Sequence, residues 1–216
     1  YGGKHFMDEF SLYVLDITMN SVRAGATLIR VTLTEAGDRL DFSVEDNGCG
    51  MTAEQIAKLS DPFFTTRKTR RVGLGIPFLK MLAEMTGGGV SVLSRTADAP
   101  SDAESGAVHP SSPRRCEKAH GTLVHAHFGR HHIDFLPLGD MAETFVTLIQ
   151  GAPDRDFIFR HSRDGKEVFL STEEIRAVLG EGISLAEPEI LSWITVRGTP
   201  RLTLPARRAF RIKNNL

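Results

Sequence analysis

The sequence Asp46-Asn47-Gly48-Cys49-Gly50-Met51 closes a stretch of alternating apolar residues, and this combination can hold a heterocyclic base. The carboxylate can accept a hydrogen bond from an exocyclic amine, and the glycines let a ligand approach the main chain and permit positive φ. A plain turn with a capping aspartate is the structural alternative. Asp16 and Asn20 stand four apart in a stretch without Gly or Pro, which places them on one helix face. In a buried helix they need partners, because an unpaired buried polar group costs about 1–3 kcal/mol. A local hydrogen bond would satisfy them, and so would a metal. Mg2+ takes a few hard oxygens together with phosphate oxygens and water. The Asn20 side-chain oxygen fits that role, and Asp16 could then take a proton from a nucleophile. Gly73-Leu74-Gly75 precedes a helical stretch, and helix starts offer free N–H groups to phosphate. Arg67, Lys68, Arg70 and Arg71 lie just before and can neutralise a triphosphate or form a solvated basic loop. Gly121-Thr122 opens a further strand.

The elements that must position these residues follow from the pattern. Phe10 to Arg23 reads as a helix buried on most sides, with Asp8 as its cap and Gly25 as its stop. Ile29, Val31 and Leu33 alternate, as do Leu40, Phe42 and Val44, and Gly37-Asp38 turns one strand into the other. A short helix follows Thr52, and a loop runs from Ser60 to Val72. A second helix spans Gly75 to Met85, stopped by Gly87-Gly88-Gly89. Strands at Val90–Ser94 and Thr122–Phe128 are expected to pair antiparallel. Between them, residues 96–120 are rich in Ala, Ser, Pro, Asp and Glu, with almost nothing to bury, and read as a mobile insertion. From Gly139 a second pattern begins. Met141 to Ile149 is helical, Phe157 to Phe159 is a strand, Asp164-Gly165 turns it and Val168–Leu170 returns. Thr172 caps a helix to Leu179, and Glu187–Trp193 forms another. Residues 139–195 are thus a small α/β extension for partner binding or dimerisation, with Phe145 and Trp193 read as core residues. Residues 198–216 form a loose tail.

In this order the features of residues 8–130 resemble the ATP-binding domain of the GHKL superfamily, which includes histidine kinases, the DNA gyrase B subunit, a heat-shock chaperone and the mismatch-repair ATPase. Asn20-Ser21-Val22-Arg23-Ala24-Gly25-Ala26-Thr27 is similar to the mismatch-repair form of the family's Asn box. Asp61-Pro62-Phe63-Phe64-Thr65-Thr66 is similar to the histidine-kinase form of its phenylalanine box. The whole chain, including Pro137-Leu138-Gly139-Asp140, resembles a bacterial group of stand-alone ATP-binding proteins of this superfamily without a phosphoacceptor domain. The resemblance implies an α/β fold: a two-layer Bergerat-type sandwich with helices on one face of a mixed sheet, here with the small C-terminal extension. It implies ATP and Mg2+ as cofactors. Asn20 would hold the metal against the phosphates, Asp46 would contact the adenine amine, and Gly48 and Gly50 would shape that pocket. Residues 62–72 would form the ATP lid, with Lys68 a phosphate ligand. Gly73 and Gly75 would offer N–H groups to phosphate, and Thr122 would reach the adenine edge.

Position 16 bears on how ATP is used. Histidine kinases of the superfamily usually carry Asn there, whereas the hydrolases and serine kinases carry Glu. Asp16 is a carboxylate one methylene shorter, and a base must come within about 2.6–3.2 Å of its proton, or act through one water. None of the eight histidines is followed directly by Glu or Asp, and about fifteen residues precede Asp16, so a self-contained histidine kinase is not expected. A mismatch-repair clamp is not expected either, because residues 139–195 are short for its second domain. The expectation is an Mg-ATP-binding protein that hydrolyses ATP slowly or phosphorylates a partner protein, with Asp16 as the base. The alternative is a non-catalytic regulatory module in which ATP sets the position of the lid. A protein partner is expected, and a homodimer is one form of it.

Composition narrows the remaining classes. The formal net charge of -1 gives no electrostatic case for nucleic acid or a membrane surface. No apolar run approaches membrane-spanning length, and Tyr1 to Phe6 lack the basic start and apolar core of a signal peptide. Two cysteines imply no disulfide framework and are consistent with a reducing cytoplasm. Cys49 reads as a small buried side chain, or else a redox-sensitive one. Cys116, His120, His125, His127, His131 and His132 lie close in sequence but match no standard metal-ligand spacing.

Overall fold

The computed structural model describes residues 8–59, 75–98, 105–107, 120–180 and 183–197. Helix α1 (Phe10–Arg23) buries Phe10, Tyr13, Val14 and Ile17 along one stripe. Leu12 is exposed, and Asp16 and Asn20 are only partly covered. The helix is therefore amphipathic rather than enclosed. Its N-cap is Glu9, not Asp8, and no side chain caps it. The free donors of the first turn are met by main chain from far along the sequence. Phe10 N–H bonds Pro137 O at 2.8 Å and Ser11 N–H bonds Leu138 O at 2.9 Å.

Strands β1 (Leu28–Ala36) and β2 (Arg39–Asp46) form an antiparallel hairpin in which burial alternates strictly. Short α2 (Ala53–Ala57) starts at Thr52 with a full capping box to Gln55. Helix α3 (Gly75–Met85) leads to β3 (Gly89–Arg95), which pairs antiparallel with β5 (Gly121–Gly129). Three residues of the segment expected as a mobile insertion form β4 (Ser105–Ala107), paired with Val92 to Ser94 on the other side of β3. Ser-Gly-Ala has little to bury, but main-chain pairing along a strand edge needs no apolar side chain.

The C-terminal elements are α4 (Met141–Gly151), β6 (Asp156–Arg163), β7 (Lys166–Ser171), α5 (Thr172–Leu179) and α6 (Pro188–Arg197). Strand β6 lies parallel to β1, from Leu28↔Asp156 to Glu35↔Arg163, and β7 returns antiparallel after Asp164-Gly165, both at positive φ. One mixed seven-stranded sheet results, in the order β4-β3-β5-β2-β1-β6-β7. Helix α4 packs against α1, and Phe145 sets its ring against Phe157 and Phe159. The core is one continuous cluster from Leu79 and Phe128 through Phe10 and Ile29 to Ile175 and Ile194, with Trp193 packed partly buried against it. Ser171, rather than Thr172, caps α5. The Thr172 hydroxyl is turned inward, accepting from Phe157 N–H at 2.8 Å and donating to Asp156 Oδ1 at 3.1 Å. Among the described residues, no helix is long and apolar enough to cross a membrane.

Candidate functional site

Asp46 is the last residue of β2, and the inward phase of that strand buries it, leaving 3% of it exposed. Its two oxygens are held separately. Ser21 Oγ, from the last turn of α1, donates to Oδ2 at 2.6 Å, and Gly48 N–H donates to Oδ1 at 2.8 Å. The turn that follows is pinned to the end of α1 through Cys49 N–H to Ala24 O at 3.0 Å. It is pinned to the start of β1 through Asn47, whose Oδ1 accepts from Thr27 N–H and Leu28 N–H, both at 2.9 Å. A Cβ on Gly48 would meet Ala24 O at 2.9 Å, and one on Gly50, at φ +71°, would meet Arg95 O at 1.9 Å. Both glycines are there because main chain passes close by. His120 Nδ1 lies 2.8 Å from Gly48 O and fixes the far side of the turn. Thr122 on β5 is the register partner of Asp46, so the two side chains stand together on the helix-covered face. Ser94 Oγ on β3 lies 2.8 Å from Thr122 Oγ1 and 3.0 Å from Gly121 O, and accepts from Met51 N–H at 2.8 Å.

One turn back along α1 the character changes. Asn20 Oδ1 accepts a hydrogen bond from Arg23 Nη1 at 2.9 Å, and the same nitrogen is 4.0 Å from Asp16 Oδ1. The side chains of Asp16 and Arg23 keep 33% and 45% of their exposure. The expectation that Asp16 and Asn20 are buried groups needing an enclosed partner is thereby revised. Helix α3 starts directly against Asp16: a Cβ on Gly75 would lie 2.1 Å from Asp16 Oδ2. The structure thus brings Asp16, Asn20 and Gly75 to one place and Asp46, Gly48, Gly50 and Thr122 to another, joined by the C-terminal turns of α1. Lys68 and Gly73, with the expected lid at 62–72, lie outside the described residues.

Two smaller readings are also decided. Cys49 is exposed rather than buried, because its N–H bonds Ala24 O and the side chain is left outward. His125 and His127 do share one strand face, with ring centroids 6.3 Å apart. Among the described residues, however, no group of three or more His, Cys, Asp or Glu could hold a metal ion, and Cys116 lies outside them. His125 Nε2 instead lies 3.1 Å from Asp41 Oδ1, and Arg39 grips the same carboxylate through two 2.7 Å hydrogen bonds. Burial alone would raise the Asp41 carboxyl, but hydrogen bonding to His125 and to Arg39, with the Arg39 charge, holds it far below the usual carboxylate range.

Sequence reasoning did not single out Ser21, Ser94 or Arg23. Ser94 had a readable signal: it continues the inward positions Val90 and Val92 with a hydroxyl where an apolar residue belongs. Ser21 sits in the buried stripe of α1, five residues after Asp16, for the same reason.

The model of the family described as histidine kinase-, DNA gyrase B-, and HSP90-like ATPase matches residues 8–131 of this chain. Among curated proteins, sensor histidine kinase ZraS of Escherichia coli (strain K12) is 32% identical over 90 residues, 41% of this chain and 19% of that protein. Sensor protein kinase FleS of Pseudomonas aeruginosa is 43% identical over 58 residues, 26% of this chain and 14% of that protein. The matches span no more than about a fifth of these relatives. Among solved structures, the N-terminal domain of a DNA repair protein superposes with a TM-score of 0.53 at 16% identity, over 82% of this chain and 58% of that one. The Aquifex aeolicus MutL ATPase domain complexed with ADP gives a TM-score of 0.50 at 17% identity, over 80% of this chain and 69% of that one. At these identities the two superpositions bear on the fold.

Proposed function

Because the chain belongs to the family of histidine kinase-, DNA gyrase B-, and HSP90-like ATPases, we propose that it binds ATP between α1, the Asp46–Met51 turn and β5, with Mg2+ at Asn20. We propose further that it hydrolyses the nucleotide slowly or passes its phosphate to a partner protein. The observation that carries this reading is Asp46, a buried carboxylate at a strand end, fixed by Ser21 and Gly48 and set beside Thr122. Its remaining lone pairs are free to accept from the adenine amine. Gly48 and Gly50 keep the turn close-fitting. Asn20, with its carboxamide oxygen, suits Mg2+, which prefers few protein oxygens and several from phosphate and water. Gly75 opens α3 and offers main-chain N–H to phosphate. Lys68 and Gly73 are assigned the same phosphate role from their place in the motif.

In the chemical step Asp16 accepts a proton from the attacking water as its oxygen bonds the γ-phosphorus. The bond from that phosphorus to the bridging oxygen breaks, and ADP leaves with the electron pair. A partner hydroxyl in place of water gives a phosphorylated partner by the same movement of protons and electrons. The partner surface is assigned to residues 139–195, where Phe169, Val178 and Ile183 are exposed, and a second copy of the chain is one occupant. A second reading, a regulatory module in which ATP is bound but not turned over, draws on Arg23. Its guanidinium already partners Asn20 and stands beside Asp16, where a metal and a nucleophile would have to come.

Calorimetry with ATP and Mg2+ tests the site. Asp46→Asn is expected to weaken ATP binding about tenfold or more, the loss of a charge-assisted hydrogen bond; unchanged affinity sinks the assignment. Steady-state phosphate release separates the two readings. Release that disappears in Asp16→Asn while ATP still binds supports catalysis, and no turnover in either protein, with candidate partners added, supports the regulatory module.

A further inference from the structure

Ser94 Oγ stands where three contacts meet, and two of them have a fixed direction. Met51 N–H, at 2.8 Å, can only donate, and the Gly121 carbonyl, at 3.0 Å, can only accept. Thr122 Oγ1, at 2.8 Å, can do either. A hydroxyl has one proton and two lone pairs. If Ser94 gave its proton to Thr122, its oxygen would face the Gly121 carbonyl with no proton between them. Ser94 keeps 3% of its exposure and Thr122 7%, so water does not relieve such a contact. Only one arrangement puts a proton in every contact: Ser94 donates to Gly121 O and accepts from both Met51 N–H and Thr122 O–H. The single proton of Thr122 is therefore turned towards β3, and the hydroxyl has only lone pairs left for anything beside Asp46. The Asp46 carboxylate likewise has none to give, since Ser21 and Gly48 both donate to it.

We propose that Ser94 is a positioning residue for base selection. By holding the Thr122 hydroxyl as an acceptor it makes the Asp46–Thr122 edge free of donors. At the 6-position of a purine such an edge accepts from an amino group and opposes an oxo group, whose oxygen would meet lone pairs. The inference rests on the ATP reading above and adds the residue that sets its selectivity.

The test is the ratio of affinities for ATP and inosine triphosphate, measured by calorimetry on the full chain with Mg2+. The variants are Ser94→Thr and Ser94→Val, a pair of equal shape that differ by the hydroxyl, with Ser94→Ala as a variant that adds no methyl group. Wild type and Ser94→Thr are expected to favour ATP alike. In Ser94→Val and Ser94→Ala the Thr122 proton is released to meet the 6-oxygen, and the ratio is expected to fall about five- to tenfold. A structural role alone would weaken both nucleotides equally and leave the ratio unchanged, which overturns the proposal. Wild type that binds ATP without preferring it to inosine triphosphate also overturns the proposal and leaves the ATP reading standing. Wild type that binds neither nucleotide overturns the ATP reading and the selectivity built on it.

Discussion

The two ends proposed for the base and for the phosphates lie against neighbouring turns of one helix and are held in opposite ways. At the base end, Asp46, Ser94 and Thr122 are buried, and their hydrogen bonds run to main chain or to side chains fixed by main chain. At the phosphate end, Asp16, Asn20 and Arg23 are partly exposed, and the long, rotatable side chain of Arg23 links the other two. The contrast suits the different work that the proposed reading gives each end. A purine ring is rigid and rewards a preformed edge, since ordering after binding would subtract from affinity. A triphosphate with its metal brings charge, and the exposed side chains at that end can turn to meet it.

Glycine replacement at each end is the sharpest way to break this contrast. Gly121 has φ +131° and an added Cβ would sit 2.0 Å from Asp46 O, a main-chain atom that cannot turn away. Gly121→Ala is expected to lower stability by about 3 kcal/mol or more. At Gly75 the clash is with Asp16 Oδ2, the end of a side chain that can rotate, and Ala favours the helix by up to about 1 kcal/mol. Gly75→Ala should therefore stay within about 1 kcal/mol of wild type in urea denaturation while phosphate release falls. Equal losses at both sites would end the comparison.

Removing one hydrogen-bonding partner at each end gives a smaller effect. Ser21→Ala leaves Asp46 Oδ2 buried without its donor and should cost about 1–3 kcal/mol. Arg23→Gln breaks an exposed pair and should change stability by about 0.5 kcal/mol or less. A loss for Arg23→Gln as large as that for Ser21→Ala would mean the phosphate end is as fixed as the base end. A last difference, in pH dependence, belongs to neither end. Asp41, on the opposite sheet face, is held low by His125 and Arg39, so its folded pKa lies below its unfolded value. Its contribution is fully present above about pH 4 and is lost as pH falls below that. Asp41→Asn should flatten the acid limb of a stability-against-pH curve and leave the base-end and phosphate-end differences unchanged.

Much of this was legible in the sequence. Helix limits at Phe10–Arg23 and Gly75–Met85 follow from apolar spacing and glycine stops, because local pattern and tertiary burial agree there. The β1–β2 hairpin was legible for the same reason. The covering of Asp16 was not, since the period of a helix tells which residues share a face but not what lies above it. Nor was the capping of α1, whose first donors are met by Pro137 and Leu138 more than a hundred residues away. The base end was half legible: Asp46 and its glycines announce themselves by type, whereas Ser21 and Ser94 stand out only as hydroxyls at apolar positions, and their partners appear when three strands and a helix bring them together.

The parallel seam between β6 and β1 has a consequence for any shortened form of the protein. The family match ends at residue 131, yet eight registered positions of β1, Leu28 to Glu35, are covered by residues 156–163. Trimming the chain to its recognisable portion would uncover a long hydrogen-bonding border with Ile29, Val31 and Leu33 along it, and would strip α4 from the side of α1. Bare strands of that length recruit one another. A trimmed chain would accordingly self-associate into aggregates rather than persist as a smaller, independent nucleotide binder.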